Sequence, residues 1–255
     1  MVNGIEIFRT FFRDFTDNYI LIGGAACDEH FSEAGLLFRA TKDLDIILIV
    51  EALTSDFVKK FWTFVKDGHY ENMQKSTGER KYYRFFKPEN KEYPYQIELF
   101  ARVPDLLDLN DDTHLTPIPT NEDLSSLSAI LMNQNYYQLT LENSETINNL
   151  HRAHVVTLIC LKVKAFLDLK TRKETGGLID EKVIKKHKND VVRLTALLTA
   201  NDSLKLPDSI RNDMQNFIKN LDTEKPDYRQ IGKNMGIPDL AGKDIIDQII
   251  KTFSL

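Results

Sequence analysis

Two aspartates spaced two residues apart, Asp43 and Asp45, are the residues of this chain best placed to do chemistry. In a β-strand, residues i and i+2 point to the same face, so the two carboxylates would lie side by side. The apolar run at 46–50 that follows them is typical of a strand buried on both faces. Two ionised carboxylates in such a place repel each other and are poorly solvated, and a divalent cation relieves both effects. The spacing therefore predicts a metal site, with Mg²⁺ (or Mn²⁺) as the ion.

A glycine pair, Gly23 and Gly24, lies where a predicted strand at 19–23 leads into a predicted helix from Ala25 to about Glu33. Small residues at this point let a phosphate approach backbone N–H groups at the positive end of a helix. An isolated glycine pair more often serves the geometry of a turn alone. Followed by two aspartates on one strand face, it predicts a combined metal and nucleotide site.

A third carboxylate, Glu98, lies in the strand-like segment 95–102 and shares a face with Gln96. If this strand lies beside the one that carries Asp43 and Asp45, the three carboxylates form a cluster. Mg²⁺ commonly takes one or two protein carboxylates and completes its shell with water and substrate phosphate oxygens. Two such ions roughly 3.5–4 Å apart would clamp the attacking and leaving oxygens of an in-line displacement. The alternative is a glutamate on an edge strand that faces water.

The second half of the chain contributes lysines on predicted helices. Lys162 falls in the middle of the apolar stripe of a helix predicted over 146–172, whereas Lys164 lies on the face with Thr157 and Asp168. An ammonium among apolar neighbours needs a partner, so we expect a phosphate or a carboxylate beside Lys162. The alternative is that Lys162 reaches solvent at the edge of the helix.

Lys186 and Asp190 lie one turn apart on a helix predicted over 180–199, with Asp190 turned toward the core. On spacing alone, they form an ordinary i,i+4 ion pair worth ~0.2–0.5 kcal/mol. A functional role for the pair remains the alternative.

Three segments together resemble the minimal nucleotidyltransferase superfamily: the glycine pair at 23–24, the segment 39–45 (RATKDLD) and the segment 97–100 (IELF). The sequence particularly resembles AbiEii-type proteins, the toxin half of many bacterial abortive-infection toxin–antitoxin pairs. The resemblance spans most of residues 18–198. Its first block is the most specific part.

This resemblance implies a metal-dependent nucleotidyltransferase that moves a nucleoside monophosphate from an NTP to an acceptor hydroxyl. Asp43 and Asp45 would hold the metal, and Glu98 would bind a second ion or activate the nucleophile. A tRNA 3′ end, a protein hydroxyl and a small molecule are all acceptors consistent with it. It also implies a role as the toxin of a pair, with an antitoxin protein as partner.

The resemblance also implies that Asp190 orients Lys186 or accepts a proton, and that Lys186 contacts the triphosphate. Where relatives place an arginine after the helix motif of Lys162, this chain has Leu169, then Lys170 and Arg172, and the sequence does not decide which of these replaces it. The nucleotide-binding residues that it implies are Gly23, Gly24, Thr41, Lys42, Lys162 and Lys186.

Bulk properties exclude several classes. The chain has 255 residues, of which 42% are hydrophobic and 28% charged, so wholesale disorder and a fibrous class are not expected. No apolar run approaches the ~20 residues that span a bilayer, and the first residues lack the pattern of a signal peptide. Its two cysteines, Cys27 and Cys160, have no C-x-x-C spacing, which argues against a disulfide framework or a structural zinc site. We therefore expect a cytoplasmic protein with no membrane partner.

The elements that must position these residues predict an α+β fold. An N-terminal nucleotidyltransferase domain, a mixed sheet with flanking helices, is predicted over 1–145, and a C-terminal α-helical bundle over 146–255. Residues 1–149 hold 14 Lys and Arg against 24 Asp and Glu, whereas residues 150–255 hold 19 against 14. The basic half is the better suited to face phosphates, although solvated helices are often rich in lysine. We expect the site in the cleft between the halves.

The periodicity predicts the remaining elements. Strands are predicted over 44–50, 80–87, 95–102, 127–132 and 136–141, and helices over 4–17, 55–68 (with Ser55 as cap), 146–172, 180–199, 207–221 and 240–253. A non-catalytic scaffold or partner-binding protein with the same fold is the alternative function, and a phosphoester hydrolase that uses the same ions is a more distant one.

Overall fold

The fold is described from a computed structural model, which covers residues 2–75, 81–101, 116–117, 130 and 133–255. All of the strand predicted over 127–132 except Ile130 lies outside these residues, and Ile130 itself is helical. Over the covered residues, no helix combines the length and the apolar character needed to cross a membrane.

One mixed sheet organises the described part of the first half. Its eight described strands are β1 Tyr19–Ile22, β2 Asp43–Leu48, β3 Tyr70–Lys75, β4 Lys81–Pro88, β5 Gln96–Ala101, β6 Thr116–Pro117, β7 Ser144–Ile147 and β8 Leu150–Ala153. They lie in the order β6-β3-β4-β5-β2-β1-β8-β7. Strand β2 runs antiparallel to β1 and parallel to β5, and β5 runs antiparallel to β4.

Three helices accompany the first strands, α1 Ile5–Phe11, α2 Gly23–Glu33 and α3 Ser55–Gly68. The helix predicted over 4–17 is shorter than expected, because a 3-10 segment over Arg13–Asn18 replaces its second half. Helix α3 has the predicted bounds, but Ser55 is not its cap. The side chain of Thr54 accepts a hydrogen bond from the Phe57 N–H and caps the helix one residue earlier.

An aromatic cluster holds α1 and α3 against the sheet. Phe8 of α1 packs edge-on against Tyr19 of β1, with ring centroids 5.2 Å apart, and against Phe64 of α3 at 5.8 Å. Phe61 of α3 contacts Phe85 of β4 at 5.4 Å. These rings are almost fully buried, and large apolar burial of this kind fixes which face of the sheet the two helices cover.

Helices dominate the rest of the chain, as predicted. Their bounds are α4 Gln134–Glu142, α5 Val155–Glu174, α6 Glu181–Thr195, α7 Asp208–Thr223, α8 Tyr228–Met235 and α9 Gly242–Phe253. The predicted fold class is confirmed: an α+β protein whose mixed sheet with flanking helices is followed by a helical region.

The described contacts divide the chain into two compact units. The first contains 1–29, 39–131 and 144–153, and therefore the sheet; the second contains 30–38, 132–143 and 154–255. The domain boundary predicted at residue 145 stays a prediction, because compactness alone does not define a functional domain.

The strand predicted over 136–141 is wrong, because these residues belong to helix α4. Its two tyrosines and its threonine favour strands in isolation. Asn133 caps this helix by accepting a hydrogen bond from the Asn135 N–H, and four of its nine residues are buried. Burial of these residues in the folded chain overrides the local preference.

The helix predicted to begin at residue 146 is wrong over its first turns. Strands β7 and β8 form a hairpin there, and β8 adds to the sheet parallel to β1, with Leu21 opposite Arg152. The turn residues Asn148 and Asn149 both have positive φ, 49° and 60°. Asparagine tolerates this conformation, and a two-residue turn of this kind joins antiparallel strands with the correct twist. The asparagine pair was the sequence signal for a hairpin.

Candidate functional site

The side chain of Asp45 lies directly against Gly23. Ile22, the last residue of β1, pairs with Asp45 on β2, so the turn after β1 begins beside this carboxylate. A Cβ on Gly23 would lie 1.8 Å from Asp45 Oδ2, and Gly23 has a φ of +66°. Both the contact and the backbone conformation therefore require glycine at this position.

Gly24 is in close contact with Thr41. A Cβ on Gly24 would lie 2.4 Å from Thr41 Oγ1, so a second side chain of the predicted nucleotide site also packs on the glycine turn. The turn leads straight into α2, whose first residue is Gly23. The first backbone N–H groups of a helix lack partners within it and attract anions.

The strand register brings the predicted carboxylates onto neighbouring strands. Asp43 is paired with Gln96 and Asp45 with Glu98 across the parallel β2–β5 ladder. Residues paired in this way point to the same face of a sheet, so Asp43, Asp45 and Glu98 share one face. The condition set by the sequence, that the Glu98 strand lies beside that of the aspartates, is met.

Glu98 has partners of its own in this arrangement. Its Oε1 accepts a hydrogen bond of 2.8 Å from Gln96 Nε2 and lies 3.4 Å from Arg84 Nε. The glutamate is 7% exposed, and a carboxylate so far from water requires such partners. Arg84 lies opposite Glu98 on the antiparallel β4 strand. Sequence reasoning missed this arginine, because only the β4–β5 register reveals it.

Over the part of the chain that the structure describes, no three or more His, Cys, Asp and Glu side chains are grouped closely enough to hold a metal ion. The two aspartates nevertheless supply the hard oxygen ligands that Mg²⁺ and Mn²⁺ take. Their number also fits, because Mg²⁺ is usually bound by one or two protein carboxylates. The residues present therefore fit such an ion at Asp43 and Asp45. The assignment of Glu98 as a third ligand stays a prediction.

Lys42 immediately precedes the aspartates. It is exposed, and its Nζ lies 5.5 Å from the centre of the Tyr95 ring. A cation–π contact of this kind fixes a lysine only weakly at an exposed site. Its predicted role at a phosphate stays a prediction.

Lys162 and Asp190 form a buried ion pair within the helical unit. Lys162 Nζ lies 3.4 Å from Asp190 Oδ2, and Asp190 Oδ1 accepts a hydrogen bond of 3.1 Å from Arg193. Asp190 is fully buried and Lys162 is 3% exposed. Of the two partners expected for Lys162, the structure provides the carboxylate. Arg193, three residues after Asp190 on the same helix, is a second partner of Asp190, and sequence reasoning missed it.

The other predicted lysines lie on helix surfaces. Lys186 is exposed on α6, and the contact predicted between it and a triphosphate stays a prediction. Lys164 lies 3.2 Å from Asp168 and 3.4 Å from Asp213. Burial lowers the pKa of Lys164, but the two carboxylates outweigh it, so that the net pKa is raised and the lysine stays charged.

No protein-family model and no curated protein sequence matches this chain. Among solved structures, the chain is similar to the Megavirus polyadenylate synthase, with 13% identity and a TM-score of 0.41 over 86% of this chain and 36% of that one. It is also similar to an antigenic nucleotidyltransferase-like protein from Paracoccidioides brasiliensis, with 14% identity and a TM-score of 0.40 over 91% and 94% of the two chains.

The chain thus spans only about a third of the length of the viral enzyme. Both similarities are distant.

Proposed function

We propose that this chain is a metal-dependent nucleotidyltransferase, which transfers a nucleoside monophosphate from an NTP to an acceptor hydroxyl. The observation that carries the proposal is the contact between Asp45 and Gly23. It places the Asp45 carboxylate against the N-terminus of α2, at a residue that has no side chain. A phosphate bound at that helix end would lie beside an ion held by the aspartates.

Each residue of the site has a distinct part in this proposal. Asp43 and Asp45 hold the ion, and the N–H groups at Gly23 and Gly24 bind phosphate oxygens. The hydroxyl of Thr41, packed on Gly24, orients the turn. Because phosphoryl transfer depends mostly on positioning and charge neutralisation, a site of this kind needs no covalent nucleophile from the protein.

When bound, Mg²⁺ would neutralise charge on the phosphates and lower the pKa of the attacking group. Glu98 would accept the proton of the acceptor hydroxyl or assist in holding an ion. Its present partner, Arg84, lies 3.4 Å from that buried carboxylate and orients it.

The finer identity rests on the sequence resemblance to AbiEii-type proteins, carried by residues 39–45. On that basis we propose that the acceptor is a tRNA end, a protein hydroxyl or a small molecule, and that the protein acts as a toxin neutralised by an antitoxin protein.

The test is thermal unfolding with each NTP, with and without Mg²⁺, on the wild type and on Asp45→Asn. A ligand at ~100 times its Kd stabilises by about 2.7 kcal/mol, which is a clear shift in Tm. We expect a metal-dependent shift in the wild type and none in Asp45→Asn. Asp239→Asn, which removes an exposed carboxylate elsewhere, is the matched control and should shift like the wild type.

A transfer assay with a labelled NTP then separates the proposal from its alternatives. Label on an added tRNA or protein supports transfer, and release of nucleotide without labelling supports a hydrolase. Metal-dependent binding that is equal in Asp45→Asn and the wild type would overturn the site.

A non-catalytic scaffold is the second candidate. The ion pair between Glu98 and Arg84 favours it, because it neutralises the carboxylate without a metal. Unfolding temperatures that no nucleotide changes, in a folded wild type, would make the scaffold the better assignment.

A further inference from the structure

A cavity of about 830 Å³ opens among helices α5, α6 and α7 of the helical unit. Its size is within the range of small-molecule binding sites. Four carboxylates and one isoleucine line it together with six lysines, and the lysines are Lys170, Lys173, Lys182, Lys185, Lys188 and Lys225. None of these residues belongs to the carboxylate site on the sheet.

Two of the lysines converge on one carboxylate at the wall of this cavity. Lys170 Nζ donates to Glu224 Oε1 at 2.8 Å, and Lys188 Nζ lies 3.3 Å from Glu224 Oε2. One oxygen is thus bound by each ammonium. A phosphate group offers the same pair of anionic oxygens, plus a third.

Further contacts hold the two lysine side chains in place, whereas the glutamate side chain is half exposed. The Lys188 side chain is 10% exposed, and its Nζ also donates to the backbone carbonyl of Glu224 at 2.9 Å. Lys170 donates to Asn220 at 2.5 Å. The Glu224 side chain, just after the end of α7, is 52% exposed. It can therefore rotate into solvent while the two ammonium groups stay in place.

Further positive charge at this cavity is available to a ligand. Lys173 is paired with Glu181 at 3.5 Å. Lys182, Lys185 and Lys225 are exposed, and no ion pair involves them within the residues that the structure describes. A cluster of this kind concentrates anions near the cavity.

We propose that this cavity binds a phosphate group, which displaces the Glu224 carboxylate from Lys170 and Lys188. The phosphate can be carried by a free nucleotide or by an RNA strand. The lowered pKa of Glu224, caused first by its hydrogen bond from Lys170, shows that the two lysines already stabilise an anion here. The inference does not depend on the nucleotidyltransferase proposal.

The test measures the affinity of the full chain for inorganic pyrophosphate and for a short single-stranded RNA, both without metal. Titration calorimetry is carried out on the wild type, Lys188→Met, Lys170→Met and Glu224→Gln. Lys251→Met, at an exposed position on α9, is the matched control for loss of one positive charge. Met preserves the apolar stem of the lysine, and a thermal unfolding curve checks that each variant folds.

We expect pyrophosphate to bind about tenfold more weakly to Lys188→Met and to Lys170→Met, the effect of losing one charged hydrogen bond. Glu224→Gln should bind it more tightly than the wild type, because the competing carboxylate is gone. Lys251→Met should match the wild type. Competition between pyrophosphate and RNA would show that RNA phosphates use this cavity; binding of pyrophosphate alone would restrict the site to small phosphates.

Equal pyrophosphate affinities for Lys188→Met and Lys251→Met would overturn the proposal. So would weaker binding by Glu224→Gln, because the glutamate would then support the ligand rather than compete with it. An unfolded Lys188→Met leaves Lys170→Met and Glu224→Gln to decide.

Discussion

Asp45 Oδ2 occupies the space that a side chain on Gly23 would need, with 1.8 Å between this oxygen and the position of a Cβ. The contact joins the Asp45 side chain to the backbone of Gly23, the first residue of α2. A substitution at Gly23 must therefore move either the carboxylate or the helix end.

Gly23→Ala should destabilise the protein and abolish metal-dependent nucleotide binding. The added Cβ meets Asp45, and a positive φ costs a non-glycine residue a further ~1–2 kcal/mol. Urea unfolding and the nucleotide-dependent shift in Tm measure the two effects separately.

Gly35→Ala is the matched control for this substitution. Gly35 has almost the same φ, +67°, but nothing lies within 4 Å of its Cβ position. It should show the backbone cost alone and keep nucleotide binding. An equal decrease in the free energy of unfolding of the two variants would mean that the contact with Asp45 does not contribute to stability.

Arg84→Met should make the stability of the protein depend on Mg²⁺ or Mn²⁺ more strongly. It removes the cation 3.4 Å from Glu98 and leaves a carboxylate that is 7% exposed. A buried charge without its partner is costly, and a divalent cation would compensate it. We expect a lower Tm without metal and a larger rise on adding metal than in the wild type.

The double variant Arg84→Met, Glu98→Gln tests the origin of that effect. With the carboxylate neutralised, the larger response to metal should disappear. A response that persists in the double variant would assign it to other ligands.

The carboxylates on the sheet could be predicted because their information is local. Two aspartates at i and i+2 must share a face of any strand, and the glycine pair marks the turn before them. The pairing of Asp45 with Glu98 needed the order of the strands, which the sequence left as a condition. The partner of Glu98, Arg84, needed the register of a third strand, which no local pattern contains.

The elements that were wrongly predicted from the sequence depend on contacts that are not local. The β7–β8 hairpin was predicted as the start of a helix because helix-favouring residues follow it. The positive φ values of Asn148 and Asn149 are typical of its turn. Helix α4 carries strand-favouring residues and is stabilised by burial. Asp190, the partner of Lys162, lies 28 positions away on another helix. The periodicity of a sequence predicts helices but does not predict which helices pack together.

Lys162→Met and Asp190→Asn should each lower the free energy of unfolding, by about 3 kcal/mol for loss of one partner of a buried ion pair. The double variant should lose less than the sum of the two, because the residues contact each other at 3.4 Å. Urea unfolding measures the coupling. If Lys162 instead contacts a bound triphosphate, Lys162→Met would lose the NTP-dependent Tm shift while Asp190→Asn kept it.

Stability in acid should report the anion held by Lys170 and Lys188. The hydrogen bond from Lys170 is the main cause that lowers the pKa of Glu224 below its ordinary value of 4.5. A depressed folded pKa means that the ionised glutamate stabilises the fold above pH 4.5, and that this contribution is lost as the pH falls through the lower, folded value.

The free energies of unfolding of the wild type and Glu224→Gln should therefore differ at neutral pH and converge in acid. A difference between wild type and Glu224→Gln that stays constant across that range would mean that the two lysines do not hold the carboxylate in solution.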